Sequence, residues 1–188
     1  MFEREDWTLF RSVETIGQKA GVTKEMLPRL VAKELADNAA DEAGTCTVEL
    51  IHGGGLCVSD LGGGIPGSAD EIAALFSVAR HLRSSKYLRL PTRGALGNGI
   101  RVVAGSVLAT GGDLQVSTKG NRYRILVHDD GTATAERIGD HPQDGTCIEV
   151  RLGQGPWPEG GFGEDEMVWA EQVMVFSKGG KGYQGKTS

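Results

Sequence analysis

The stretch ELADNAADEAG, Glu34 to Gly44, carries Glu34, Asp37, Asn38 and Asp41 within eight residues. Side-chain oxygens at that density suit two tasks: holding a hard cation and activating a water as a general base. On a helix, Glu34, Asp41, Leu30, Leu27, Asn38, Val31 and Leu35 fall within roughly 140° of one another, with Arg29, Lys33, Ala32, Ala36 and Ala40 on the other side. The acids are therefore expected to share the leucine face. A carboxylate buried among leucines without a partner is costly, so the pattern points to a partly closed polar cleft in which a cation or charged ligand relieves that cost. The plainer alternative is a protruding helix whose C-terminal half is simply wet.

Two glycine clusters add chemistry. In SDLGGGIPG, Asp60 ends a strand-like run and Gly62, Gly63 and Gly64 follow. Such a turn lets backbone approach a ligand, and the carboxylate can accept a hydrogen bond from an exocyclic amine; the alternative is an ordinary turn with an aspartate. In RGALGNGIRVVAG, Gly94, Gly97 and Gly99 precede an apolar helix, and glycine-rich backbone opening onto a helix N-terminus is suited to anions. The GK[ST] ending of a P-loop is absent, and a strand does not precede the cluster as a dinucleotide fingerprint requires. A cation-holding helix, an amine-reading aspartate and a phosphate-cradling loop together match the needs of Mg-ATP.

The elements that must position these residues are legible from pattern. A helix is expected over 23–44, with Thr23 as N-cap, Pro28 in the first turn and Gly44 at its end. A helix is also expected to begin near Val13. TCTVELI and LCVSD read as a hairpin across HGGG. SADEIAALFSVARHL reads as a helix opened by a Ser68–Glu71 capping box, RSSKYLRLPTRGALGNG as a loop, and IRVVAGSVLATGG as a short buried helix. Four strands follow, DLQVSTKG, RYRILVHDDG, TATAERIG and GTCIEVRL; then a linker, GQGPWPEGGFG, and a last helix, EDEMVWAEQVMVFSK. Helices at both ends of antiparallel strands imply an α+β fold, a two-layer sandwich with helices on one face of a mixed, mainly antiparallel sheet.

Bulk properties bound the function. The 188 residues are 39% hydrophobic and carry a formal charge of −5, so one domain with one core is expected, and direct clamping of a nucleic-acid backbone by the whole domain is disfavoured. Cys46, Cys57 and Cys147 lack CxxC spacing and read as small core residues in a reducing cytoplasm. No apolar run approaches the ~18 residues of a membrane span, and the N-terminus lacks the layout of a signal peptide.

The segments ELADNAADEA, SDLGGGIP, RGALGNG and GTCIEVRL, in this order, resemble the four motifs of the GHKL, or Bergerat-fold, ATPases, a family that includes gyrase B subunits, topoisomerase VI B subunits, MutL, heat-shock chaperones and histidine kinases. The resemblance covers most of residues 25–152. It implies a histidine kinase-like ATPase sandwich over 21–152 with a lid over about 67–93, preceded by an arm over 1–20 and followed by a linker, C-terminal helix and flexible tail over 153–188. Glu34 matches the general base, and Asn38 the residue that binds Mg²⁺ and the phosphates. Asp60 matches the adenine-reading carboxylate, and Gly62, Gly64, Ile65 and Pro66 the turn beneath the base. Gly94, Gly97 and Gly99 match the loop that closes over the phosphates, and Thr146 the threonine that supports the adenine. Asp37 and Asp41 match acids of structural rather than catalytic character. Arg80, Arg83, Lys86 and Arg93 fall in the lid, near the triphosphate or simply solvated.

The motif with Glu34 looks closest to the gyrase B and topoisomerase VI B branch. The resemblance then implies ATP and Mg²⁺ as cofactors and slow hydrolysis in the ATPase module of a type II topoisomerase-like or related DNA-processing machine. It also implies a homodimer on ATP binding, a partner subunit or missing transducer domain, and indirect dealings with DNA; from the lack of an apolar span and of a signal-peptide layout, no membrane contact and a cytoplasmic location are expected. The alternatives are a nucleotide-gated dimerisation module with little hydrolysis and a histidine-kinase-like phosphotransferase.

Overall fold

The computed structural model describes residues 6–79 and 98–178. A 3-10 turn (Asp6–Phe10) leads into α1 (Val13–Ala20), and a second turn (Lys24–Met26) into α2 (Leu27–Ala43). Then come β1 (Thr47–Ile51), β2 (Gly55–Asp60), α3 (Ala69–Leu75), α4 (Asn98–Thr110), β3 (Asp113–Val127), β4 (Ala133–Arg151) and α5 (Glu164–Lys178). The sheet runs β1-β2-β4-β3, and each of its three pairings is antiparallel. No parallel pair occurs among the described residues, so the expected mixed sheet is here antiparallel throughout. Alternate residues on β2, β3 and β4, among them Leu56, Val58, Leu114, Val116, Ile148 and Val150, are buried against the helices. The result is an α+β two-layer sandwich, its helices on one face of the sheet.

α2 is the central helix of that layer. Pro28 sits in its first turn, where a missing N–H costs nothing, and Gly44 closes it with a left-handed φ of 73°. Its buried face is Leu27, Pro28, Val31, Ala32, Leu35, Ala36 and Ala39. The helical wheel therefore needs correcting: Ala32 and Ala36, placed opposite the leucines, are fully buried, because α5 packs along α2 on the side of Arg29, which they share. That rotation moves Glu34 and Asn38 to the margin of the core and leaves Asp41 exposed. Thr23 precedes the 3-10 turn without a side-chain capping bond, so it does not cap the main helix.

Two further expectations change. The Ser68–Glu71 capping box is present, but α3 ends at Leu75 instead of running on through SVARHL. Phe76 and Val78 turn into the core, and Ser77 and Ala79 bond the carbonyl of Gly131; those tertiary bonds replace continued helix. The four strands after α4 form two continuous runs, β3 and β4. Lys119 and Gly120 both take left-handed φ, 48° and 81°, and the ladder shifts register there. Beyond them, Arg122 Nε reaches Gln115 at 3.1 Å and Arg124 Nε reaches Asp113 at 3.3 Å. Extended backbone at ~3.3 Å per residue would hold the second pair ~36 Å apart, so β3 doubles back at Lys119–Gly120. The two expected segments are the arms of that reversal.

Residues 152–163 wrap back onto the sandwich: Leu152 N–H bonds Gly160 O, Phe162 N–H bonds Gly54 O, and Phe162 is buried. α5 then packs along α2, burying Ala170 and pairing Glu166 with Arg29 at 3.4 Å.

Candidate functional site

α2 and α4 pack side by side, and where they meet stand Glu34, Asn38 and Gly99. Glu34 and Asn38 are one helical turn apart on α2, so their side chains project in the same direction. Gly99 lies in the first turn of α4, where backbone N–H groups lack partners within the helix. The approach is close: a Cβ built on Gly99 would lie 2.5 Å from Glu34 Oε2 and 3.2 Å from Asn38 Nδ2, so a side chain there would displace the Glu34 carboxylate. Asn38 Nδ2 is buried and has no hydrogen-bond partner among the described residues. An amide N–H left in that state costs about 1–3 kcal/mol, which makes it a donor awaiting an acceptor. Glu34 keeps 22% of its side chain exposed, and its other oxygen, Oε1, is 3.3 Å from Lys33 Nζ. Lys33 is nearer to Asp37, at 2.9 Å, so Asp37 is engaged along the helix surface and not at the cleft.

The second cluster lies across β2, β3 and β4. Asp60 ends β2 and pairs in register with Thr146 of β4, which in turn pairs with Thr118 of β3. All three are buried on the helix-facing side of the sheet. Asp60 Oδ1 accepts the Gly62 N–H at 2.8 Å, which fixes the turn and leaves the second carboxylate oxygen for another donor. Thr118 Oγ1 accepts the Ile65 N–H at 2.7 Å and donates to Gly145 O at 3.4 Å. Gly145 sits so tightly beneath this turn, at φ 85°, that a Cβ there would lie 1.9 Å from Asp60 O. Asp60, Gly62, Gly64, Ile65 and Thr146 are thus gathered around one backbone crossing, and Pro66 follows Ile65 in the same turn. Thr118 escaped the sequence reading: a lone threonine in a strand carries no motif, and only its register opposite Thr146 marks it. Glu42 was passed over likewise, although its Cγ lies 2.9 Å from where a Gly62 Cβ would stand.

Gly94 and Gly97 lie outside the described residues, as do Arg80, Arg83, Lys86 and Arg93. Among the described residues, groups of three or more His, Cys, Asp or Glu with metal-holding geometry are absent, so any cation here would depend on few protein ligands. No described helix is long and apolar enough to cross a membrane.

No family model matches the chain, and no curated protein matches it. Among solved structures, it is similar to the 43K ATPase domain of Thermus thermophilus gyrase B in complex with an aminocoumarin, at 20% identity and a TM-score of 0.43. That similarity covers 84% of this chain and 39% of the other, so this chain spans well under half the length of that one. A superposition this loose assigns no role to any residue.

Proposed function

We propose that the cleft between α2, α4 and the Asp60 turn binds Mg-ATP and that the chain hydrolyses it slowly. The observation that carries the reading is the buried Asn38 Nδ2, unpartnered among the described residues, beside Glu34 Oε2 and Gly99 at the start of α4. A phosphate oxygen satisfies that donor, and N–H groups of the first turn of α4 add to its field. The Asn38 carboxamide also offers an oxygen, a donor type that fits Mg²⁺ held by few protein ligands together with substrate phosphates; bound there, the ion would offset phosphate charge. Glu34 is the base that orients and deprotonates the attacking water. The free oxygen of Asp60 accepts the adenine 6-amino group, with Gly62, Gly64, Ile65 and Pro66 beneath the base and Thr146 supporting it. Gly94 and Gly97, with Gly99, complete the phosphate loop.

In this reading residues 21–152 form the nucleotide-binding domain of a type II topoisomerase-like or related DNA-processing machine in the cytoplasm. It dimerises with ATP bound and reaches DNA through a transducer domain or partner subunit. The Lys33 contact on Glu34 favours a second reading, a nucleotide-gated module with little hydrolysis, because a carboxylate oxygen engaged by an ammonium is less available to a water.

Titration of Mg-ATP alongside phosphate release separates the two. Binding by the native chain and by Glu34→Ala, with turnover only in the native chain, supports hydrolysis. Native binding without turnover supports the second reading, and absence of binding by either protein overturns both. Asp60→Asn is expected to weaken ATP more than a nucleotide lacking the 6-amino group; equal losses would remove Asp60 from its role.

A further inference from the structure

The face of the sheet turned away from the helices holds a cluster that the nucleotide cleft does not use. Asp60 and Thr146 point toward the helices, so the alternation of strand side chains turns Cys57 and Cys147 to the opposite side. Cys57 stands opposite Glu149, and Cys147 opposite Ser59. The two cysteines are therefore diagonal neighbours on adjacent strands, and their sulfurs lie 2.8 Å apart, inside ordinary sulfur–sulfur contact. The sequence reading marks these cysteines as small core residues and does not foresee the contact. The two sites differ in character: Cys57 is 8% exposed and Cys147 is more open. Arg122, which bonds Glu149 at 2.7 Å and Gln115 at 3.1 Å, supplies positive charge to the same face.

We propose that Cys57 and Cys147 form a peroxide-responsive dithiol, closing to a reversible disulfide that ties β2 to β4. Cys147 is the attacking group. The shared contact with Cys57 holds the Cys147 thiol below its usual range, with burial, Glu149 and Glu49 opposing and Arg122 assisting, while that same contact and burial push Cys57 up. The Cys147 thiolate attacks one oxygen of hydrogen peroxide, the O–O bond breaks, and hydroxide leaves as water after taking a proton; Cys147 becomes a sulfenic acid. The Cys57 sulfur, giving up its proton, then attacks the Cys147 sulfur and expels a second water, leaving the disulfide. Overall, two thiols and one peroxide give one disulfide and two waters. The adjacent sulfurs make the second step intramolecular.

The test is stoichiometric peroxide on the full chain, followed by thiol titration in denaturant, non-reducing electrophoresis and peptide mapping. The expected result is a fall from three titratable thiols to one, a monomer with a mass lower by two hydrogens, a peptide linking Cys57 to Cys147, and full reversal by dithiothreitol. In Cys57→Ser, Cys147 is expected to stop at the sulfenic acid and be trapped by dimedone. Three thiols surviving, a bond to Cys46 or between chains, or a dimedone adduct on native Cys147 with no crosslink would overturn the assignment. The native measurements decide the matter even if the variant does not fold.

Discussion

The two ends of the cleft are built on opposite principles. At the sheet end, Asp60, Thr118 and Gly145 are locked by the chain's own hydrogen bonds: Gly62 N–H to Asp60, Ile65 N–H to Thr118, and Thr118 to Gly145 O. At the helix end, Asn38 Nδ2 is buried with no partner among the described residues, and Glu34 Oε2 faces a bare glycine. Protein interiors rarely leave such a donor unmet. The contrast teaches that the first end is finished by folding, whereas the second keeps a donor unmet among the described residues, as the proposed nucleotide cleft requires. Substitutions at the sheet end should therefore damage stability first, and substitutions at the helix end should damage binding first.

Gly145→Ala should produce the largest change. Its Cβ would overlap Asp60 O at 1.9 Å, at a φ of 85° that alanine tolerates poorly, so a loss of about 3 kcal/mol is expected. By calorimetry that corresponds to an unfolding midpoint about 6–12 °C lower. Thr118→Val keeps the shape but strands the Ile65 N–H, for an expected loss of about 1.5 kcal/mol in urea unfolding. Asn38→Leu should move the other way: removing an unmet donor leaves the ligand-free chain unchanged or stabilised by up to about 1 kcal/mol. A clear destabilisation there would erase the contrast between the two ends. The smallest effect belongs to Lys33→Ala, which removes a half-exposed pair with Asp37; the cost should stay under about 0.5 kcal/mol and shrink with salt. If Lys33 also restrains Glu34, phosphate release should rise in that variant.

The parts of this architecture that the sequence disclosed are those governed by local chemistry. The Glu34–Asn38 spacing, the Ser68–Glu71 capping box and the break between DLQVSTKG and RYRILV are each set by a few neighbouring residues, so they could be read without the fold. The parts it concealed depend on what packs where. Ala32 and Ala36 look neutral in a wheel, yet both are fully buried once α5 packs along the Arg29 side of α2. α3 stops at Leu75 because Gly131, more than fifty residues onward, captures Ser77 and Ala79. Thr118 and the Cys57–Cys147 contact exist only through strand register, which hydrophobic alternation alone does not fix between distant strands.

The central claim is that the helix end is incomplete until nucleotide arrives, and thermal unfolding tests it directly. Native chain and Asn38→Leu are compared with and without Mg-ATP, since a ligand that binds only the folded state raises its midpoint. The account predicts a ligand-dependent rise in the native chain and none in Asn38→Leu, whose ligand-free midpoint is at least as high. Equal rises in both proteins, or none in either, would contradict it.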